Sequence, residues 1–187
     1  VLPGGAENPP CVFAAGAQLK HTFCLTRGAE AFVSQHIGDL ERPAALDFFT
    51  ETLRPLSGLL EVDPAVVVRD LHPDYPSSRI AEEFGRARGL PVLTLQHHVA
   101  HVFAVLAEHA SAFGSPALGL ALDGSGLGEA GAIWGGELLW VDAATARHRR
   151  LGRLTPFFLP GGEAAVREPW RTAEGLWRLA GLPAEAD

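Results

Sequence analysis

The 187-residue chain carries a formal net charge of −7, with 47% hydrophobic and 20% charged residues, the composition of a folded globular protein and not of a disordered tail. The acidic balance argues against a nucleic-acid backbone as the main partner, because phosphate binding needs a clustered basic footprint. No apolar run reaches the about 20 residues of a membrane-spanning helix, and the N-terminal Val-Leu-Pro-Gly-Gly has no basic-then-apolar order, so no membrane partner is expected and the chain reads as cytoplasmic.

After a Gly/Pro-rich lead-in, residues 11–15, 21–27 and 31–37 are apolar or alternating runs separated by Gly16 and Gly28, and they predict three consecutive strands in a meander. Residues 43–60 repeat apolar positions at helical spacing behind Pro43, which suits a first turn. Residues 65–68 read as a strand buried on both faces, and Ser77 or Ser78 is a candidate cap for a helix reaching Arg88. A further strand at 91–95 runs straight into a helix at 97–109. The order β-β-β-α-β-α-β-α predicts a mixed sheet flanked by helices, the α/β ribonuclease-H-like or actin-like half. A second half begins at Pro116: a strand at 117–122 ending at Asp123 and a glycine-rich loop, strands at 130–142 and 147–158, and a helix around 169–180. Residues 1–113 thus form a first actin-like half and residues 114–187 the start of a second. The repeat stops short, and no methionine occurs even at position 1, which reads as a piece of a longer chain.

Two cysteines, Cys11 and Cys24, exclude a disulfide scaffold and read as small buried hydrophobes more readily than as catalytic thiols. The sharpest local feature is Gln96-His-His-Val-Ala-His101. On a helix His97 and His101 share one face and can reach a common metal ion, while His98 points elsewhere. No Glu lies between them in the metalloprotease pattern. Next comes Leu122-Asp-Gly-Ser-Gly-Leu-Gly128, where Asp123 is placed to bind a metal and the glycines let backbone amides approach an anion; plain turn chemistry explains the same glycines. The Walker ending is absent. Asp70, His72 and Asp74 form a polar cluster that either contacts substrate or makes an Asx-type turn with helix caps. Leu159-Pro-Gly-Gly-Glu163 reads as a turn and helix start.

Taken together, Gly16-Ala-Gln-Leu-Lys20, Ser34-Gln-His-Ile-Gly-Asp-Leu40, Asp70-Leu-His-Pro-Asp-Tyr75, Gln96 to His101, Ala121 to Glu129, Ile133-Trp-Gly-Gly-Glu137 and Leu159 to Glu163 resemble, in this order, the carbamoyl-transfer domain of the hydrogenase maturation carbamoyltransferases of the HypF family, itself similar to the tRNA threonylcarbamoyltransferase TsaD. The resemblance implies ATP-dependent conversion of carbamoyl phosphate to carbamoyl adenylate and transfer of the carbamoyl group to the C-terminal cysteine of the partner HypE, on the way to the cyanide of a nickel-iron centre. It implies that His97, His101 and Asp123 are the catalytic metal ligands for iron or zinc. Gly16, Lys20, Gly124, Ser125, Gly126 and Gly128 would lie along the phosphates of ATP, with magnesium on the nucleotide, and Gly162 with Glu163 near the ribose. The acylphosphatase-like, zinc-finger and adenylate-forming regions of such proteins, and a later Gly-Gly-Val-Phe-Gln-Asn block with a further aspartate ligand, have no counterpart here, so the 187-residue chain alone is expected to turn over little or nothing. The rival readings are an antibiotic O-carbamoyltransferase and a non-catalytic fragment that binds nucleotide or a partner.

Overall fold

β1 (Val12–Ala14), β2 (Cys24–Arg27) and β3 (Glu30–Val33) form an antiparallel meander, because three short apolar runs separated by glycine turns pair in sequence order. The structure, a computed structural model, describes residues 9–109, 114–162 and 164–182. Regular pairing of the second strand starts later than its apolar run suggests: His21 makes only an isolated bridge with Gly38. α1 (Pro43–Leu60) has Pro43 in its first turn and ends at Glu61 in the left-handed conformation. β4 (Val66–Asp70) then lies parallel to β1, and β5 (Val92–Leu95) parallel to β4. The sheet order is β3-β2-β1-β4-β5, the mixed arrangement expected from the element order.

α2 (Pro76–Arg88) corrects the expected cap. Pro76 occupies the first helical position and Tyr75 the cap position, so Ser77 and Ser78 are inside the first turn and fully buried. Ser78 Oγ instead donates to the His72 carbonyl at 2.7 Å, tying the helix start to the end of β4. Against this sheet Phe13, Phe23, Leu25, Phe49 and Val67 are all within 1% of full burial and form one apolar core. Phe13 sits edge-on to Phe23 at 6.0 Å and lies 5.0 Å from Phe84 of α2, the offset contacts that aromatic rings prefer.

α3 (His97–Glu108) packs Val99, Val102 and Leu106 against Ala121, Leu139 and Val141 of a second sheet, ordered β6-β7-β8. That sheet consists of β6 (Ala117–Leu127), β7 (Ile133–Asp142) and β8 (Arg147–Arg153). β6 overturns the reading of a strand that ends at Asp123 in a loop. It continues to Leu127, and the register jumps from Leu122 opposite Gly136 to Gly126 opposite Trp134. Residues 123–125 are therefore a bulge set against Gly135 alone. β8 ends five residues before Phe158 and gathers Arg147, Arg149, Arg150 and Arg153, a basic stretch that the overall acidic charge conceals.

The chain divides into two compact units, Val1–Gly152 and Arg153–Asp187. The second holds α4 (Ala164–Arg167) and α5 (Pro169–Leu179), with Gly175 against Phe157 and Phe158, and Arg171 Nε donating to Glu168 at 2.9 Å. Among the described residues no helix is long and apolar enough to cross a membrane.

Candidate metal centre

α3 starts where it does because Gln96 caps it: its Oε1 accepts from Val99 N at 3.0 Å, while its Nε2 donates to Leu127 O at 3.1 Å and faces His98 Nδ1 at 3.0 Å. One side chain thus closes the helix end and fastens it to β6. With the helix start fixed, the four-residue spacing puts His97 and His101 on one face, ring centroids 4.7 Å apart. His98, one residue on, turns away from this pair into the packing against Gly126 and Trp134, where it is fully buried, and burial pushes its pKa down.

The bulge in β6 brings the carboxylate to this pair. Asp123 Oδ1 accepts from Gly124 N at 2.7 Å, which turns Oδ2 toward His97 Nε2 at 3.1 Å and His101 Nε2 at 3.8 Å. The two Nε2 atoms lie 3.2 Å from each other. One ligand atom from each of His97, His101 and Asp123 lies within 4.8 Å of the others. On the far side of the ring, His97 Nδ1 donates to Asp70 Oδ2 at 2.8 Å. That hydrogen bond is the main reason His97 is shifted above the usual histidine pKa; burial opposes it, and the charges of Asp70 and Asp123 add to it.

This donor set fits a divalent ion. A neutral His97 that donates its Nδ1–H to Asp70 in a hydrogen bond presents a bare lone pair at Nε2. That lone pair faces the Asp123 carboxylate at 3.1 Å, a repulsive arrangement unless a proton or cation sits between them, and His101 Nε2 at 3.2 Å completes the donor set. Two imidazoles and a carboxylate are also a usual donor set for zinc and for iron. A cavity of about 450 Å³, lined by Val102, Leu106, Leu118 and Leu120, runs between α3 and β6 and reaches His101 and Asp123.

Residues 7–108 match the family described as the HypF Kae1-like domain, and residues 119–186 match the carbamoyltransferase Kae1-like domain, second subdomain. The chain belongs to the HypF family. It is 49% identical over 182 residues to carbamoyltransferase HypF2 of Cupriavidus necator, covering 97% of the chain and 22% of that relative. It is 46% identical over 177 residues to carbamoyltransferase HypF of Rhizobium leguminosarum, with 95% and 22% covered. Full-length HypF solved in a phosphate- and nucleotide-bound form superposes with a TM-score of 0.84 at 36% identity, over 95% of this chain and 22% of that one. HypF from T. kodakarensis superposes with a TM-score of 0.80 at 31% identity, over 94% and 23%. The chain thus spans about a fifth of the length of these HypF relatives, and its fold is the actin-like, Kae1-like one.

Within this HypF domain the glycine-rich segment is spent largely on internal packing. The amides of Gly124 and Gly128, expected to be free for phosphate, already donate to Asp123 Oδ1 and to Ala132 O at 2.7 Å each. A side chain on Gly126 would meet His98 Cε1 at 2.9 Å and His97 Cβ at 3.4 Å, so this glycine lets β6 run close over the helix start. Gly128 lies against the ring of Trp134. Ser125 sits in the bulge. The Gly16 to Lys20 turn is part of the first sheet, with Gly16 at φ 70° against the Thr22 carbonyl and Lys20 exposed at φ 49°; among the described residues no hydrogen bond or ion pair joins it to residues 124–128. Gly162 belongs to the second unit, and Glu163 lies outside the described residues.

The Asp70, His72, Asp74 cluster resolves into a turn. Asp70 Oδ1 accepts from His72 N at 2.8 Å, Asp74 N donates to His72 Nδ1 at 3.2 Å, and the His72 ring stacks on Tyr75 at 4.3 Å. Burial, with Asp70 and Asp123 nearby, pushes the Tyr75 phenol up, keeping it protonated. Burial likewise raises the Cys11 and Cys24 thiols, which suits small apolar residues and not nucleophiles. Sequence reasoning missed Arg150: it grips the 2%-exposed Glu137 through both carboxylate oxygens at 2.6 and 2.8 Å and lies 4.5 Å over Trp134, which braces the wall beside His98. No local signal marks it: the strand alternates faces, but its one large apolar residue, Leu151, lies on the exposed face and Arg150 on the inner one, so the arginine is turned inward only by its pairing with Glu137.

Proposed function

We propose that this chain is the metal-bearing part of a HypF carbamoyltransferase, which makes carbamoyl adenylate from carbamoyl phosphate and ATP and passes the carbamoyl group to the C-terminal cysteine of HypE. The observation that carries the reading is the convergence of His97, His101 and Asp123 on one point beside an open cavity, in a chain of this family. An iron or zinc ion held there would polarise the carbamoyl carbonyl as a Lewis acid and steady the negative charge that develops on its oxygen. His97 and His101 supply the two nitrogens from one rigid helix face. Asp123 supplies the carboxylate from the bulge, and its exposure of 33% leaves the centre open on the cavity side. In transfer, the cysteine thiolate bonds to the carbamoyl carbon as the bond from that carbon to the AMP oxygen breaks; the thiol proton goes to solvent and AMP leaves. For the magnesium nucleotide, side chains take over from the occupied amides: Lys20 as a point charge and the Ser125 hydroxyl are the groups we assign to the phosphates.

The test is mass spectrometry of HypE after incubation with the full-length enzyme, ATP and carbamoyl phosphate. We expect one carbamoyl mass on the tail cysteine, and its loss in the His101→Ala enzyme with the fold retained. An unmodified HypE together with carbamoylation of an aminoglycoside hydroxyl would hand the case to the antibiotic enzymes.

A further inference from the structure

We propose that Asp70 is the positioning residue of the metal centre: it holds His97 as the tautomer whose Nε2 lone pair is free for the ion. The inference rests on the metal reading above and moves Asp70 from substrate contact to ligand support. Asp70 ends β4, its side chain is 5% exposed, and it lies 27 residues from the histidine it holds. Its two oxygens divide the work. Oδ1 accepts from His72 N at 2.8 Å, which pins the carboxylate to its own turn, and Oδ2 accepts the Nδ1 proton of His97 at 2.8 Å. With the proton on Nδ1, the neutral ring carries its lone pair on Nε2, the atom that faces Asp123 and His101. A carboxylate on the outer nitrogen also makes the inner nitrogen a better donor. His101 has no such anchor among the described residues: it is 60% exposed and its polar contacts run through Nε2. His97 is therefore the preset ligand of the pair.

Asparagine at position 70 separates this role from simple turn-making. An amide oxygen on His72 N keeps the turn intact, since asparagine makes the same turn as aspartate. Its NH2 group then faces His97 Nδ1 and needs a bare nitrogen there, so the ring proton moves to Nε2 and the ligand lone pair is lost. The same wrong-tautomer effect follows when the aspartate of a serine-protease triad becomes asparagine. A turn-only role predicts no such change.

The experiment uses the 187-residue chain labelled with 15N at histidine, metal-free, at a pH above the histidine titration range, alongside zinc competition against a chromogenic chelator. We expect His97 to carry its proton on Nδ1 in the wild type and on Nε2 in Asp70→Asn, and Asp70→Asn to bind zinc about 10- to 100-fold more weakly. His101→Ala is expected to weaken zinc while leaving the His97 tautomer unchanged. A wild-type ring protonated on Nε2, or an Asp70→Asn chain that binds zinc like the wild type, overturns the proposal. If the wild type takes up no zinc, the metal reading fails by itself, and the tautomer of the wild-type ring still decides the role of Asp70 even if the variant does not fold.

Discussion

The turn before β2 is sealed at its root by His21, 1% exposed, which donates from Nδ1 to Ala17 O at 2.6 Å and packs 4.9 Å from Phe49; the hairpin of β6 and β7 breaks its own register at residues 123–125 and turns a carboxylate toward α3. Both regions open a sheet with antiparallel strands, and both bury a histidine, His21 under the turn of the first and His98 against Gly126 and Trp134 of the second. The first spends its burial on closing an aromatic core. The second spends it on holding a bulge and a helix start in a fixed relation, and the chemistry sits where regular pairing fails. A regular β6 would put alternate side chains on opposite faces; only a bulge re-aims one of them while the strand continues.

The largest effect that sharpens the comparison comes from the sealed core. Phe13→Ala, in contact with Phe23, Phe49 and Phe84, is expected to cost about 3–5 kcal/mol in urea denaturation. The folded fraction of that variant should bind zinc as the wild type does, and a parallel loss of affinity would mean that the two regions are not separate. Gly126→Val comes next, because its side chain must push into His98 and His97. Overpacking of this kind costs about 1–3 kcal/mol, and here zinc affinity should fall with it, as the helix start moves away from Asp123. A Gly126→Val chain with full stability and affinity would refute the packing role assigned to this glycine.

Acidification is expected to weaken the first region and to act in opposite directions through His98 and His97 of the second. Burial holds His21 and His98 below the ordinary histidine pKa, so the unfolded chain takes up more protons than the folded one once the pH drops below about 6.5. The stability these rings contribute is present above that pH and is lost as the pH falls toward their folded values. His97 is shifted upward by Asp70, so its own contribution is present at low pH and is lost as the pH rises through its raised value. His21→Phe should shift the pH dependence of the metal-free chain's denaturation midpoint toward less loss on acidification than in the wild type; an unchanged slope would show that His21 does not contribute. The smallest effect is expected at Gly124, where an added methyl meets open space. Gly124→Ala should change stability by no more than about 0.5 kcal/mol, and a larger loss would mean that the bulge needs glycine there.

The local patterns carried the helices well. Apolar spacing and a leading proline are enough to place α1 at Pro43–Leu60, and the helical spacing of His97 and His101 already puts both on one face. What the sequence hid depends on partners distant along the chain. The Asp123, Gly124, Ser125, Gly126 run reads as a loop because glycines end strands locally, whereas its continuation as β6 is decided by pairing with Trp134 to Gly136. Asp70 reads as part of a polar turn, which it is, but its bond to His97 exists only because β4 and β5 lie side by side and deliver their ends to the same place. Ser77 and Ser78 look like caps until Pro76 claims the first helical position.

The most direct measurement is X-ray absorption at the zinc edge on the 187-residue chain loaded with one equivalent of the ion. We expect two imidazole nitrogens and a carboxylate oxygen at about 2.0–2.2 Å, with one imidazole lost from the spectrum in His101→Ala and none lost in His109→Ala, a change at the exposed residue that caps the far end of α3. A coordination shell without histidine, or a spectrum that His101→Ala leaves unchanged, would contradict that expectation.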